Sequence, residues 1–191
     1  AQLALNPKTP ADVLEKLTKS EDPIILSQIA SRKNATDNVF RAVVKNPSFD
    51  NLKVRTALAS NSNTPTDVLR KVASTSNEID IQRELAFHAK TPEDVLQNLA
   101  KIQNYGILQA VINNKNTSIK VLDEVGNNPL TWQSKFSYIQ VLLASQDNIS
   151  ERLAKKIAKS NNEDALHHLL DNPSSSISPE LRNSITNRLS N

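Results

Sequence analysis

The sequence predicts an all-α protein, an α-solenoid of about six and a half stacked helical hairpins. Three observations lead to this fold class: a motif that repeats along the chain, apolar residues at helical spacing within each copy, and an aliphatic composition. Of the 191 residues, 38% are hydrophobic but only 4% are aromatic, and the formal net charge is +3. The length fits a single domain over residues 1–191 with a core of aliphatic side chains.

The repeat is readable directly from the chain. Residues 3–14 (LALNPKTPADVL) return as residues 58–69 (LASNSNTPTDVL) and as residues 85–96 (LAFHAKTPEDVL). Three less regular copies follow the same order of apolar and polar positions. The apolar residue that closes the motif is its anchor, and the six anchors are Leu14, Phe40, Leu69, Leu96, Leu122 and Ala154. Their spacings, by subtraction, are 26, 29, 27, 26 and 32 residues, a period typical of helical-repeat arrays.

Each copy contains two helical pieces, and the second begins near a Thr-Pro pair in the regular copies. Thr9, Thr64 and Thr91 are predicted to be N-caps, whose hydroxyls accept hydrogen bonds from free amides of the first turn. The prolines that follow them are predicted to be the first helical residues. An Asp two residues after each proline suits the positive end of the helix dipole.

The first helical piece of each copy ends at a Leu-Ala pair or its equivalent. Helices are predicted over residues 51–61, 79–87, 105–113 and 135–145, where apolar residues recur at helical spacing. In three copies an Asn stands two residues after the Ala position, at Asn6, Asn61 and Asn114. We interpret it as a turn residue that satisfies loop backbone or tolerates a left-handed conformation, and His88 occupies the same position.

The two ends of the array and one internal segment depart from the repeat. Residues 3–4 match the end of a first helix, so we expect either a piece of a longer protein or a truncated first repeat. Residues 162–191 are predicted to form a C-terminal cap, with a helix over residues 162–171, a turn, and a last helix opening at residues 178–180. Residues 126–132 account for the longest spacing and hold the only tryptophan, Trp132. This segment is either a functional protrusion or bend, or a segment whose Trp132 fills a widened gap between repeats.

The run Leu-Ala-x-Asn-x-x-Thr-Pro-x-Asp-Val-Leu-x-x-Leu resembles the leucine-rich repeat variant family, whose repeats are related in shape to armadillo and HEAT repeats. The resemblance covers nearly the whole chain and is strongest in the copies anchored at Leu14, Leu69 and Leu96. It implies a right-handed superhelix of stacked hairpins. The copies are longer here than the family's unit, which favours a true α-helix in their first half. An iron–sulfur segment can accompany such repeats, but a chain without Cys cannot ligate a cluster by thiolates, so no metal site follows.

Composition excludes several classes of site. The chain has no Cys, which excludes disulfides, cysteine zinc sites and thiol nucleophiles, and its 2 Gly exclude glycine-rich phosphate loops. No apolar stretch approaches the roughly 20 residues of a membrane span and no signal peptide opens the sequence, so a cytoplasmic protein is the default expectation. His167 and His168 are adjacent, so on a helix they point about 100° apart, and no third ligand is spaced to join them. We therefore expect no enzyme activity, no catalytic residues, no cofactor and no metal.

The residues one and two positions after the anchors are predicted to form the exposed face of the second helices, called here the second-helix face. Their character changes from copy to copy, as on a surface that reads a partner, although unselected solvent-facing positions vary in the same way. With Trp132 added, the candidate protein-binding residues are Lys16, Arg41, Arg70, Lys71, Gln97, Asn98, Trp132, Lys155 and Lys156. We expect a non-catalytic scaffold that binds another protein, as a monomer or as part of a longer chain, and no membrane partner.

A column of lysines supports an alternative. Five residues after the anchors stand Lys19, Lys45, Lys101 and Lys159. If stacking aligns them, they form a basic stripe for an anionic partner such as nucleic acid. The local interpretation is that each lysine is a cation at a helix C-terminus, where it complements the helix dipole. The sequence favours the local interpretation and a protein partner.

Overall fold

The computed structural model of the chain describes residues 2–190. Every regular element in this range is helical, which confirms the all-α prediction. The α-helices are α1 Gln2–Leu5, α2 Ala11–Leu17, α3 Pro23–Ala30, α4 Asp37–Lys45, α5 Leu52–Ser60, α6 Thr66–Thr75, α7 Ile79–Phe87, α8 Glu93–Leu99, α9 Tyr105–Ile112, α10 Ile119–Asn127, α11 Tyr138–Ala144, α12 Glu151–Ala158, α13 Glu163–Asp171 and α14 Pro179–Leu189. Short 3₁₀ helices lie at Pro47–Asp50, Pro129–Trp132 and Ser134–Phe136. None of the helices in residues 2–190 is long and apolar enough to cross a membrane.

The chain divides into two compact units, Ala1–Val95 and Leu96–Asn191. In the first unit, helices α1, α3, α5 and α7 pack side by side in chain order, and α2, α4 and α6 form a second row against them. The two rows correspond to the first and second helices of the predicted repeat. Aliphatic side chains, Phe40 and Phe49 form the buried core of this unit, and the fully buried residues include Leu14, Leu26, Ile29, Phe40, Leu58, Leu69, Ile81 and Leu85.

The second unit alternates in the same way. Helices α9, α11 and α13 pack in one row, α10 packs on α9, and α12 packs on α11 and α13. The last helix, α14, lies against both α12 and α13. The helices that form the predicted C-terminal cap, α13 and α14, are therefore present and packed. Fully buried residues of this unit include Leu108, Leu122, Ile139, Leu143, Ile157 and Leu169.

The predicted N-caps of the second helices are wrong by one residue. The helices begin after the prolines, and Pro10 and Pro65 themselves are the N-cap residues, with extended backbone and no side-chain cap. The threonine before each proline instead donates its hydroxyl to the carbonyl six residues upstream, at the end of the preceding first helix. The Oγ1–O distances are 2.6 Å for Thr9 and Leu3, 2.7 Å for Thr64 and Leu58, and 2.6 Å for Thr91 and Leu85.

The reason for this shift is visible in the less regular copies. There the proline position carries Thr36, Ser118 or Ser150, and each of these side chains does accept a first-turn amide. A hydroxyl at the N-cap can satisfy a free amide, whereas proline cannot. The buried threonine one residue earlier lies too far back to cap the helix, so it satisfies one of the carbonyls left free where the first helix ends.

The first helices largely match their predictions. Helices α5, α7 and α9 occupy the predicted segments, and all are α-helical rather than 3₁₀. The predicted helix over residues 135–145 is wrong in its first part, because Ser134–Phe136 is a separate 3₁₀ turn before α11 begins at Tyr138. Phe136 in this turn stacks on Tyr105 of α9, with ring centroids 5.7 Å apart.

Candidate functional site

Polar side chains connect successive first helices within each unit. The position two residues after the Leu-Ala pair lies in the turn that follows the first helix. The Asn61 amide donates to two main-chain carbonyls at the end of α3, those of Ala30 at 2.7 Å and Arg32 at 3.0 Å. Asn172 does the same to Ala144 at 2.6 Å and Gln146 at 3.1 Å. These side chains bridge two carbonyls at a helix end, where main-chain acceptors run out of amide donors. The second carbonyl of each pair, that of Arg32 or Gln146, also accepts a main-chain amide three residues further on.

Arg32 and His88 occupy the equivalent position in other copies. The Arg32 guanidinium donates to the carbonyls of Ala4 and Asn6, at 3.2 and 2.6 Å. His88 Nε2 lies 2.8 Å from the Asn61 carbonyl, while its Nδ1 accepts the Lys90 amide at 3.1 Å. These contacts define a neutral imidazole with the proton on Nε2. Burial is the main cause that lowers the pKa of His88, so the ring stays neutral.

The prediction that these residues serve the turn is confirmed, and the left-handed alternative is wrong. Within residues 2–190, no residue has a positive φ, glycine included. The same chemistry recurs after the second helices, where the repeat pattern did not predict it. Asn46 bridges the carbonyls of Thr18 and Ser20, and Asn128 bridges those of Ala100 and Ile102. The signal was present, because the Asn-Pro pairs at residues 46–47 and 128–129 repeat the pair at residues 6–7.

The irregular segment of residues 126–132 packs within the second unit. Thr131 donates to the Val125 carbonyl at 2.7 Å, six residues upstream, as the threonines of the Thr-Pro pairs do. Trp132 is half-buried, and its indole N–H donates to the Gly126 carbonyl at 2.8 Å. The Lys156 ammonium lies 4.4 Å from the indole centroid and donates to the same carbonyl at 2.7 Å. Of the two interpretations of this segment, its contacts therefore favour packing.

In the first unit the second-helix face is exposed and partly organised by ion pairs. Lys16 on α2, Arg41 on α4, and Arg70 and Lys71 on α6 all face solvent. Arg41 Nε lies 2.8 Å from a carboxylate oxygen of Asp67 on the next second helix. In the same way Arg70 lies 3.0 Å from Asp94.

These hydrogen bonds change the titration of the acidic partners. The bond from Arg41 is the largest cause that lowers the pKa of Asp67, and the bond from Arg70 does the same for Asp94. The pairs are exposed, so their contribution to stability is small and screened by salt. They hold the two guanidinium groups in defined places on the second-helix face.

In the second unit the candidate residues lie on separate helices. Gln97 and Asn98 are on α8, where Asn98 is exposed. Lys155 pairs with Glu151 at 2.5 Å on the same helix. The structure brings Lys156 and Trp132 together, and burial lowers the pKa of the Lys156 ammonium.

The four lysines of the basic column all lie at helix C-termini and are exposed. Lys45 is the last residue of α4, and Lys159 is the C-cap of α12. Lys19 follows the C-cap of α2 by one residue, and Lys101 lies two residues beyond the end of α8. None of the four takes part in an ion pair within residues 2–190. Their places suit the helix dipoles and also leave their charges open to an anion.

A groove in the second unit was not foreseen from the sequence. It has a volume of about 720 Å³ and is lined by Trp132, Ser134, Ser137, Gln140 and residues 159–164. It therefore joins Trp132 of the candidate protein-binding residues to Lys159 of the lysine column. The irregular segment pointed to the region, but the amide, hydroxyl and carboxylate groups come from two stretches, residues 132–140 and 159–164, that only folding brings together.

Within residues 2–190, no group of three His, Cys, Asp or Glu side chains is arranged to hold a metal ion. His168 Nδ1 lies 3.0 Å from the Ser145 hydroxyl, and His167 is exposed. Comparisons of the chain with protein-family models, with curated proteins and with solved structures gave no match. The resemblance to leucine-rich repeat variants therefore stays a prediction.

Proposed function

We propose that the chain is a right-handed α-solenoid of about six and a half hairpins that acts as a non-catalytic scaffold for another protein. The partner binds the second-helix face. In helical-repeat proteins each repeat stacks on its neighbours, and the stacked helices give an extended surface suited to a protein partner.

One observation carries this proposal. Helices α2, α4 and α6 pack in a row, and each presents at least one exposed basic side chain one or two positions after its anchor. Arg41 and Arg70 are fixed by Asp67 and Asp94, so they lose less side-chain freedom when a partner binds. Arg is also a residue type enriched at protein interfaces.

The test reverses charges on this face without breaking its ion pairs. The variant is Lys16→Glu/Lys71→Glu, because both lysines are exposed and neither pairs with an acid within residues 2–190. Immobilised wild type and variant are incubated with the same cell extract, and retained proteins are quantified by mass spectrometry. We expect a discrete protein that the wild type retains and the variant loses.

The control is Lys8→Glu/Lys53→Glu, which makes the same change of net charge at exposed positions outside the second-helix face. It should retain the partner like the wild type. Equal retention by all three proteins contradicts the proposed face. Equal loss in both variants shows that net charge alone governs binding.

Nucleic-acid binding is the second candidate, supported by the exposed, unpaired Lys19 and Lys45 at the ends of two helices that pack together. Its test is fluorescence anisotropy with labelled duplex and single-stranded DNA and RNA at about 50 mM and about 150 mM salt. Binding that weakens steeply with salt and with Lys19→Gln/Lys45→Gln supports it. Flat anisotropy at both salt concentrations contradicts it.

A further inference from the structure

A row of exposed aliphatic side chains crosses the first helices of the first unit. Ile24 is the second residue of α3, Leu52 is the first residue of α5, and Ile79 is the first residue of α7. Their exposed fractions are 51%, 52% and 44%, so about half of each residue is left in water. These three residues are called here the apolar row.

The helices that carry the apolar row are parallel neighbours. Asn61 after α5 bonds to the last carbonyl of α3, at Ala30, and His88 after α7 bonds to the carbonyl of Asn61. The ends of the three helices therefore lie together, and because the helices pack side by side, their starts lie together as well. Packed helices are about 8–10 Å apart, so the row residues follow one another at roughly that distance. Single exposed aliphatic residues are ordinary on protein surfaces, but an aligned set with polar neighbours is typical of an interaction site.

Free carboxylates accompany the apolar row. Asp22 and Asp50 each stand two positions before a row residue, and Glu21 adjoins Asp22. All three are exposed, and the ion pairs of residues 2–190 include none of them. Asp22 caps α3 by accepting the Ile24 amide at 2.8 Å, which leaves its negative charge in place. The exposed cation Lys53, beside the row, is also outside these ion pairs.

The other carboxylates next to the row are already neutralised. Glu78 pairs with Arg55 at 2.7 Å, and Asp80 pairs with Arg83 at 2.9 Å. The unpaired charges around the row are therefore the three carboxylates and the one ammonium group named above. Such a surface attracts a cationic partner and repels an anionic one.

We propose that the apolar row binds an amphipathic α-helix of a partner protein, whose aliphatic face is flanked by lysine or arginine. One face of an α-helix recurs about every seven residues, or about 10.5 Å, which is close to the spacing of the row. Side chains on one face of a β-strand recur about every 6.6–6.8 Å, which does not match it. A polyproline segment has a suitable repeat but docks into aromatic-lined grooves, whereas the row is aliphatic.

Other occupants fit the row less well. A two-fold dimer brings the same patch of both copies together, so the carboxylates of one copy would face those of the other. Nucleic acids and anionic lipid surfaces carry negative charge, which the carboxylates repel. The row lies on α3, α5 and α7 and not on the helices of the second-helix face, so this inference is independent of the scaffold function proposed above.

The first test uses a designed peptide. A fluorescein-labelled peptide of about 18 residues, about 27 Å long as a helix, is built from Leu, Lys and Ala with its leucines on one face. Fluorescence anisotropy is measured at about 150 mM salt. We expect saturable binding, and at least about tenfold weaker binding of three comparison peptides: one with the same residues in scrambled order, one with Glu in place of Lys, and one with a central proline. Equal binding of any comparison peptide overturns the proposal, and so does the absence of binding.

Leu52→Asn/Ile79→Asn then tests the place of binding. Burial of one half-exposed Leu or Ile residue is worth about three- to tenfold in affinity, so this double variant should bind the peptide at least about tenfold more weakly. The matched control is Leu5→Asn/Phe87→Asn. These two residues are 60% and 61% exposed, and they are the last residues of α1 and α7, away from the helix starts that form the row. The control should bind like the wild type, and equal losses in both variants contradict the row.

Charge variants give opposite signs for a cationic and an anionic partner. Glu21→Gln/Asp50→Asn should weaken peptide binding by about two- to fivefold, the range of exposed ion pairs, and Lys53→Gln should strengthen it. Changes of the reverse sign would show that the row takes an anionic partner and would overturn the proposal. Thermal unfolding by circular dichroism verifies that each variant is folded. Peptide binding depends on the row and protein capture on Lys16 and Lys71, so either proposal can fail without the other.

Discussion

Asn61 provides the sharpest test of the bridging hydrogen bonds. Its side chain is buried and forms three of them: the amide donates to Ala30 and Arg32, and the oxygen accepts the Asn63 amide at 3.0 Å. Asn61→Ala removes all three and leaves a buried carbonyl at the end of α3 without its side-chain partner. Each hydrogen bond contributes about 0.5–1.5 kcal/mol net, so we expect a loss of about 2–4 kcal/mol in the free energy of unfolding.

The assay is urea unfolding followed by far-ultraviolet circular dichroism. With a slope of about 2–3 kcal/mol per molar urea, the midpoint should fall by about 1 M. The control is Asn63→Ala, two residues away in the same turn. Asn63 is exposed and donates one bond, to the Lys33 carbonyl at 2.7 Å. It should lose no more than about 1 kcal/mol.

Two further substitutions at Asn61 separate hydrogen bonding from side-chain size. Asn61→His should keep more stability than Asn61→Ala, because His88 donates to a main-chain carbonyl from the equivalent position. Asn61→Asp keeps the shape but places acceptors against the carbonyls of Ala30 and Arg32, so it should be the least stable of the three. Equal midpoints for Asn61→Ala and Asn63→Ala, or an Asn61→Asp protein as stable as the wild type, would refute the reasoning.

Three other outcomes are expected. Burial lowers the pKa of His88 below its usual 6.5, so on acidification the unfolded chain binds a proton before the folded chain does, and the free energy of unfolding should decline as the pH falls below about 6.5. This decline amounts to at most about 1.4 kcal/mol per pH unit. It should be absent from the His88→Asn protein when the two proteins are compared by urea unfolding. Leu96→Ala should lose about 2–5 kcal/mol by thermal or urea unfolding and Gln97→Ala much less, and equal losses would contradict the assigned register. Gly126→Ala should change the free energy of unfolding by no more than about 1 kcal/mol, because the new Cβ would lie 2.5 Å from Leu153 Cδ1, the end of a flexible side chain that can shift, and alanine favours the helix over glycine by about 1 kcal/mol; a loss above about 2 kcal/mol in urea unfolding would show that Leu153 cannot move.

The features that the sequence predicted correctly depend on residues close together in the chain, and the features that it misplaced depend on residues further apart. The anchors Leu14, Leu69 and Leu96 were identified because apolar burial acts at fixed helical spacing, and all three are fully buried. The N-caps were misplaced because Thr9 has two competing uses for its hydroxyl. Which use prevails depends on where the preceding helix ends, and no local propensity specifies that position.

The candidate site was less predictable because its groups are distant in sequence. Trp132, Gln140 and Glu163 line one groove, but they come from a 3₁₀ turn, helix α11 and helix α13. The motif copies show which helix follows which. They do not show that the side chain of Gln140 is buried with one hydrogen bond made and its oxygen left free, since this depends on the packing of all three segments.

The second-helix face shows why a variable column can hide a regular interaction. Taken one position at a time, the residue after the anchor is Arg41 in one copy and Asp123 in another, which suggests an unrelated surface. The residue after each of these anchors contacts the residue that stands two positions before the next anchor. Arg41 pairs with Asp67 in this way, and Asp123 pairs with Arg152 at 3.3 Å with the two charges exchanged. The repeated property is an attraction between neighbouring hairpins and not the sign of the charge at either position. A protein that bound this face would therefore meet charges whose signs are coupled in pairs, and a substitution of only one member of a pair changes the contact between neighbouring hairpins as well as the surface.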